Sequence, residues 1–386
     1  MLSILQGGDI LANKYETEVF SQNSIYNKSN GTPANTRKIK VYFSVPEKGT
    51  NEDTGLLLFI AGFGGTASSN VYKKMRNEFA DKYNVVTIQC DYFGYEFMQG
   101  SENMQIPHFD KEQFSKIFSA EEISQVYKNG QVDFNTFLDL GRKYNIKMDV
   151  KEDLSEENID NFNDMGVMQA IDNVVAVLSV MNILYNNAQD FNSKKVIVYG
   201  HSQGAYLAYL CNAFAPKLFS LIIDNSAWLY PVYLIDGNRM LMSKRGNLTL
   251  VIIFEYLAKK IIYDKEIFNL PYLYSKFKNN CQIIVYHGTT DNLIKCKDKS
   301  GFCSRINKCI YNEISEDKVD GIVFKSTNHG LDSDFIELFD YTINNYNIQF
   351  EKDTFLDLQS EVILQTSKHK YCIDYQNIIP EIHILQ

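Results

Sequence analysis

The sequence predicts an α/β fold: a mostly parallel central sheet flanked by helices, with two insertions and a C-terminal extension. Three observations carry the prediction. Short apolar strands alternate with helical stretches, the pattern of a parallel sheet with crossover helices. One such strand, 195–199, runs directly into Gly200-His201-Ser202-Gln203-Gly204 and then into a helix-forming run, 205–210. Two later apolar segments, 282–286 and 322–324, lead into loops that carry Asp291 and His329.

The elements follow in order. Residues 13–46 read as two leading strands, and Lys38-Ile39-Lys40-Val41-Tyr42-Phe43 alternates as a half-buried strand should. Gly49-Thr50-Asn51-Glu52-Asp53 is a turn. A strand at 55–60 leads to the loop Ala61-Gly62-Phe63-Gly64-Gly65-Thr66, then to a helix over 70–82 and a strand over 85–90. A first insertion, 95–163, is polar and reads as mainly helical, with candidate helices at 111–118, 120–127 and 134–143. The core resumes in a helix over 165–185. Its Met168, Ile171, Val174, Val175, Leu178 and Met181 or Asn182 recur at helical spacing and are expected to face the core. A strand at 221–226 precedes a second insertion, 229–280, dense in aromatic side chains such as Tyr230, Tyr233, Phe254, Tyr256 and Phe268. It reads either as a substrate-shaping cap or as a helical decoration with its own core. The core therefore spans 13–94, 164–228 and 281–345. The extension, 346–386, contains a possible hairpin of 362–364 and 371–375 around Ser367-Lys368-His369-Lys370.

These residue types suit one chemistry. A serine between small residues in a sharp strand-to-helix turn stands at the carboxyl end of a sheet. Its hydroxyl is a weak nucleophile at neutral pH and needs an adjacent base. His329 is the candidate base, taking the Ser202 proton and handing it to the leaving group. Asp291 is the candidate acid, holding the imidazole in one tautomer and stabilising its charged form. Asp224 competes for that role, because 221–226 also ends a strand with an aspartate. The oxyanion of a tetrahedral intermediate needs donors fixed in advance. The backbone N–H of Gln203 is one candidate and that of Phe63 the other, with Gly64 as the alternative. Phe63, His201, Trp228 and Tyr230 are the candidate substrate contacts. His287 reads as structural, and His108, His369 and His383 as surface or packing histidines.

The order Ser202, Asp291, His329, with the strand–elbow–helix context and the 61–66 loop, resembles the α/β-hydrolase superfamily over residues 38–343, insertions aside. In the loop, Ala61 stands where the superfamily's H-G-x-G element has histidine. The resemblance implies an α/β-hydrolase fold and a serine hydrolase working through a covalent acyl-enzyme. Lids over such sites commonly arise where 229–280 lies. Carboxylic ester hydrolysis leads; peptidase, thioesterase and acyltransferase chemistries share the apparatus. The whole layout also looks similar to an uncharacterised bacterial α/β-hydrolase family found near flagellar and surface-glycan genes, which would imply deacylation of a sugar-linked substrate. A reading of another class is a non-catalytic binding or scaffold protein on the same fold, against which the intact serine, aspartate and histidine argue.

Composition narrows the partners. The net charge of −9 gives no reason to expect nucleic acid or an anionic membrane surface. The N-terminus lacks a basic start and a long apolar stretch, and no segment reaches about 18 uncharged apolar residues, so no membrane span is expected. Seven cysteines, an odd number, argue against a full disulfide framework. Cys296, Cys303 and Cys309 cluster without a zinc-site spacing or a histidine. These features predict a cytoplasmic protein with reduced thiols and no metal, and the hydrolase resemblance implies a small-molecule acyl substrate and no cofactor.

Overall fold

The structure is a computed structural model that describes residues 3–4, 12–27, 36–99, 104–105, 111–128, 131–377 and 379–385. The chain opens with an antiparallel pair, β1 (Asn13–Gln22) and β2 (Thr36–Val45). Next come β3 (Gly55–Ile60), α1 (Asn70–Tyr83) and β4 (Val85–Cys90). The Ser69 hydroxyl caps α1 by accepting the Tyr72 N–H, and Asn84 closes it in the left-handed region. After the first insertion come α2 (Val167–Asn186) and, beyond the strand β6 (Val196–His201), α3 (Gln203–Phe214) and β7 (Leu221–Asn225). The first insertion itself contains β5 (Ile146–Glu152). The second contains β8 (Arg239–Arg245) and β9 (Leu248–Phe254). The core finishes with β10 (Gln282–Gly288), β11 (Cys309–Ile314) and α4 (Phe335–Asn345).

The main sheet runs β1-β2-β4-β3-β6-β7-β10-β11, with Ser3–Ile4 paired outside β1. From β4 to β11 every neighbouring pair is parallel, while β2 is antiparallel to both its neighbours. This is the α/β-hydrolase fold. β3, β4 and β7 are buried at every position because helices cover both faces, and β3 is apolar from end to end. The helix over 165–185 appears as α2. It is long and apolar enough to cross a membrane by composition, but 83% of its apolar window is buried in the protein core. The chain leaves β3 toward β4 on one side, and β6 lies on the other. That switch in direction opens a crevice beyond the carboxyl ends of β3 and β6.

Four expectations are revised. The first insertion holds strands as well as the expected helices. It has short helices at Lys111–Ser115, Ala120–Val126 and Phe134–Gly141, but β5 pairs in parallel with β9 of the second insertion. With β8 and Met104–Gln105 these make a second, four-stranded sheet, so the two insertions are one structural unit. In β5, Ile146, Met148 and Val150 are buried while Lys147, Asp149 and Lys151 face water. That period-two signal is present in the sequence; the charged alternate residues disguise it as a polar stretch. The second insertion, accordingly, is built on the β8–β9 hairpin as well as short helices. Residues 322–324 form a bend rather than a strand, because one Asp320 carboxylate oxygen accepts the N–H groups of Ile322, Val323 and Phe324 at 2.8, 2.8 and 3.0 Å. The edge of the sheet is β11 instead. The tail adds a third strand to the expected hairpin: β12 (Glu361–Gln365), β13 (Lys370–Asp374) and β14 (Glu381–Leu385) are antiparallel.

Candidate active site

The elbow between β6 and α3 is held by close approach. Ser202 has φ 56° and ψ −120°, a conformation that a non-glycine residue adopts only when its surroundings impose it. A Cβ on Gly204 would lie 2.0 Å from the Ile60 carbonyl oxygen, and one on Gly200 would lie 2.4 Å from the Ala205 nitrogen. Both positions therefore need glycine. The Ser202 N–H donates to the Asn225 carbonyl at 2.8 Å, tying the elbow to the end of β7.

His329 arrives from the loop before α4. Its Nε2 lies 2.7 Å from Ser202 Oγ and its Nδ1 2.7 Å from Asp291 Oδ2. The loop is pinned from β7: the Gly330 N–H donates to Ser226 Oγ at 3.0 Å, and Asn225 Nδ2 donates to the Gly330 carbonyl at 3.2 Å. Asp291 follows β10. Its Oδ1 accepts the N–H groups of Leu293 and Ile294 at 2.8 and 3.0 Å, which aims Oδ2 at the imidazole. Burial pushes the Asp291 carboxyl up. The bond to His329, the His329 charge and the two N–H bonds outweigh burial and hold it below its ordinary value.

Asp224 is engaged elsewhere. It and Lys299 are both fully buried, with Lys299 Nζ 2.7 Å from Asp224 Oδ2. The Tyr209 hydroxyl donates to the same oxygen at 2.8 Å, and the Ala227 N–H donates to Oδ1 at 2.7 Å. Its carboxylate shapes the 225–227 turn that grips Gly330; among the described residues its partners are Lys299, Tyr209 and Ala227, and His329 bonds to Asp291 instead.

The other sequence candidates sort by position. The N–H groups of Phe63, Gly64 and Gln203 donate to no acceptor among the described residues. The helix start at Gln203 leaves such donors open by construction. Ser202 and His329 open into a cavity of about 370 Å³ whose walls include Phe63, Trp228, Tyr233, Arg239, Leu293 and Phe335. His201 also lines it, wedged where Cβ atoms on Gly62 and Gly330 would meet its ring at 2.8 and 2.4 Å. Burial, then the neighbouring His329, pushes its pKa down to about 4, so it stays neutral near pH 7. Tyr230 does not line the cavity; its hydroxyl lies beside Asp236. Tyr233, three residues on, takes that place, with its ring 5.1 Å from that of Phe63 and 5.4 Å from that of Trp228. A one-turn helix, Val232–Ile235, turns Tyr233 inward, and no periodic signal in so short an element marks which tyrosine faces the site. Arg239 had no sequence signal at all. His287 is buried, its Nε2 bonded to the Ile294 carbonyl at 2.9 Å and its Nδ1 3.7 Å from Asp291 Oδ2, beneath the acid. His369 and His383 are remote from Ser202, and His108 lies outside the described residues.

A larger cavity of about 840 Å³ lies between the leading strands, the second insertion and the tail, bounded by Tyr26, Asp264, Phe268 and Tyr371. Ser24, His369 and His383 line it, but no hydrogen bond joins that serine to either histidine among the described residues, and the bonded Ser202–His329 pair opens into the smaller cavity.

A family model described as "Protein of unknown function (DUF2920)" matches residues 34–344. No curated protein matches the chain. Among solved structures, the chain is similar to Est1E from Butyrivibrio proteoclasticus with ferulic acid bound, at 14% identity over 80% of this chain and 93% of that one, with a TM-score of 0.44. It is similar to acetyl xylan esterase 1 from Thermoanaerobacterium sp. JW/SL YS485, at 12% identity over 89% and 86%, TM-score 0.43. It is also similar to the peroxisomal α/β-hydrolase Lpx1 from Saccharomyces cerevisiae, at 12% identity over 86% and 88%, TM-score 0.46.

Proposed function

This chain belongs to the family described as protein of unknown function (DUF2920), and from that premise we propose that it is a serine hydrolase that cleaves carboxylic esters through a covalent acyl-enzyme. One observation carries the reading: an unbroken chain from Ser202 Oγ through His329 to Asp291, each link 2.7 Å, on a strained glycine-flanked elbow. Ser202 would act as nucleophile, His329 as general base and then acid, and Asp291 as the acid that orients the ring.

The steps follow from this geometry. Ser202 Oγ bonds to the ester carbonyl carbon while its proton passes to His329 Nε2, and the carbonyl electron pair moves onto oxygen. The N–H groups of Gln203 and Phe63, or of Gly64, would receive that oxyanion. The pair returns, the C–O bond to the alcohol breaks, and the alcohol leaves with the proton from Nε2. A water molecule then repeats the sequence and frees the acid. Asp291, kept ionised, holds Nδ1–H toward itself and stabilises the imidazolium in both halves. His201, neutral near pH 7, packs the elbow and takes no part in proton transfer.

A fluorophosphonate probe and a panel of p-nitrophenyl esters, acetylated sugars, acyl-thioesters and aminoacyl amides test the reading. Wild type should label at Ser202 and turn over esters; folded Ser202→Ala should do neither. Ester turnover by folded Ser202→Ala near the wild-type rate would exclude Ser202 as nucleophile.

A further inference from the structure

Among the described residues, the cavity over Ser202 is lined by one permanent cation, Arg239, and by no aspartate or glutamate. Resting on the hydrolase reading above, we propose that Arg239 determines specificity by binding a carboxylate on the substrate, so that the enzyme's esters are anionic.

Arg239 is the first residue of β8, brought to the site by the sheet that the two insertions share. Its guanidinium lies over the Phe63 ring at 4.8 Å and the Tyr233 ring at 5.3 Å. Nη1 donates to the Tyr233 hydroxyl at 3.3 Å, and Nη2 donates to Gln99 Oε1. Gln99 is itself lodged against the oxyanion loop, where a Cβ on Gly64 would lie 2.5 Å from its Oε1. The group is thus fixed in place by neutral partners only. Nε is buried without an acceptor, and no acidic side chain pairs with the guanidinium among the described residues. A guanidinium offers five N–H donors, and a carboxylate matches its fork with two parallel bonds. A partly buried cation without a counter-charge is costly. In a chain with a net charge of −9, acids to pair with it are abundant, yet none among the described residues reaches it. Trp228, in the same wall, adds a second buried donor without an acceptor, its Nε1. A site with surplus donors, a positive charge and no acid of its own is built to receive an anion.

The test pairs charged and neutral esters. Mono-p-nitrophenyl glutarate and its methyl ester place the carboxylate on the acyl side; 4-acetoxybenzoate and its methyl ester place it on the leaving group. For one of the two pairs, wild type should favour the charged member in kcat/KM. Arg239→Gln should lower the charged-to-neutral ratio about ten- to hundred-fold, the scale of a hydrogen-bonded charge pair. Arg239→Lys should restore part of it. Ratios that stay the same in Arg239→Gln and Arg239→Lys for both pairs overturn the proposal, as does a wild-type preference for the neutral member of each. Trp228 is the single tryptophan and lines the cavity, so its emission reports binding without turnover. Monomethyl glutarate should quench it in Ser202→Ala, with the affinity weakened at least about tenfold by adding Arg239→Gln. Arg239-dependent quenching with no ester turned over would sink the hydrolase reading and leave the anion site standing. Ester turnover with unchanged ratios and no such quenching would do the opposite.

Discussion

Asp224→Asn should weaken the fold and spare the chemistry, whereas Asp291→Asn should spare the fold and remove most of the chemistry. Asp224 lies near the end of β7 and Asp291 in the loop after β10, and their surroundings differ. Asp224 neutralises Lys299 at 2.7 Å with both side chains fully buried. Asparagine there leaves an ammonium with only the Ala227 carbonyl at 3.1 Å and the face of Tyr209 at 5.3 Å. Removing one partner of a buried pair typically costs about 3–5 kcal/mol. At about 2 cal/mol/K of unfolding entropy per residue over 386 residues, Tm should fall by about 4–6 °C. The folded fraction should keep at least about a tenth of wild-type kcat, since Asp224 reaches the site only through the 225–227 turn. Asp291→Asn keeps a hydrogen-bonding group under the loop but favours the wrong imidazole tautomer, and kcat should fall about 10⁴-fold with little change in Tm. The assay is steady-state ester hydrolysis, normalised by circular dichroism for folded protein, beside thermal melts of each variant. The reverse ranking of kcat, with both proteins folded, would move the acid to Asp224 and refute the reasoning.

Other outcomes follow from the same geometry. Ser202→Ala should melt like wild type, lose probe labelling, and lose up to about 10⁶ in kcat. Gly204→Ala puts a methyl 2.0 Å from the Ile60 carbonyl, so soluble expression and melting temperature should both collapse; a wild-type melt would show that the elbow tolerates a side chain. His201 has its pKa pushed down to about 4, so the folded state binds its proton less readily than the unfolded chain does. Its contribution to stability is intact above about 6.5, the unfolded value, and is lost as pH falls from there through 4, worth up to about 3 kcal/mol. His201→Asn should therefore flatten the denaturant-measured stability profile between those pH values; an equally steep profile would place the proton elsewhere.

The parts of this protein legible in its sequence are those whose physics is local. The elbow needs a strand, two glycines around a serine and a helix within a dozen consecutive residues, and each requirement leaves a mark on composition. β3 and α2 are legible for a similar reason: burial on both faces makes the strand's apolar run continuous, and burial of the helix leaves apolar residues at helical spacing. The order of serine, aspartate and histidine was readable too, but not which aspartate meets the histidine. Asp224 stays open as a rival to Asp291 in the sequence, although the place of Asp291 in the loop before the histidine-bearing segment favours it. Only the fold reveals that Lys299, 75 residues from Asp224, occupies the first. The same holds for the insertion sheet. β5 and β9 begin about a hundred residues apart, and neither the alternation of β5 nor the apolar run of β9 says what it packs against. That pairing decides where β8 lies, and β8 carries Arg239 to Phe63 over the serine. Backbone conformation is dictated by neighbours in sequence, whereas a charge or a pocket wall takes its meaning from neighbours in space, which only the closed fold brings together.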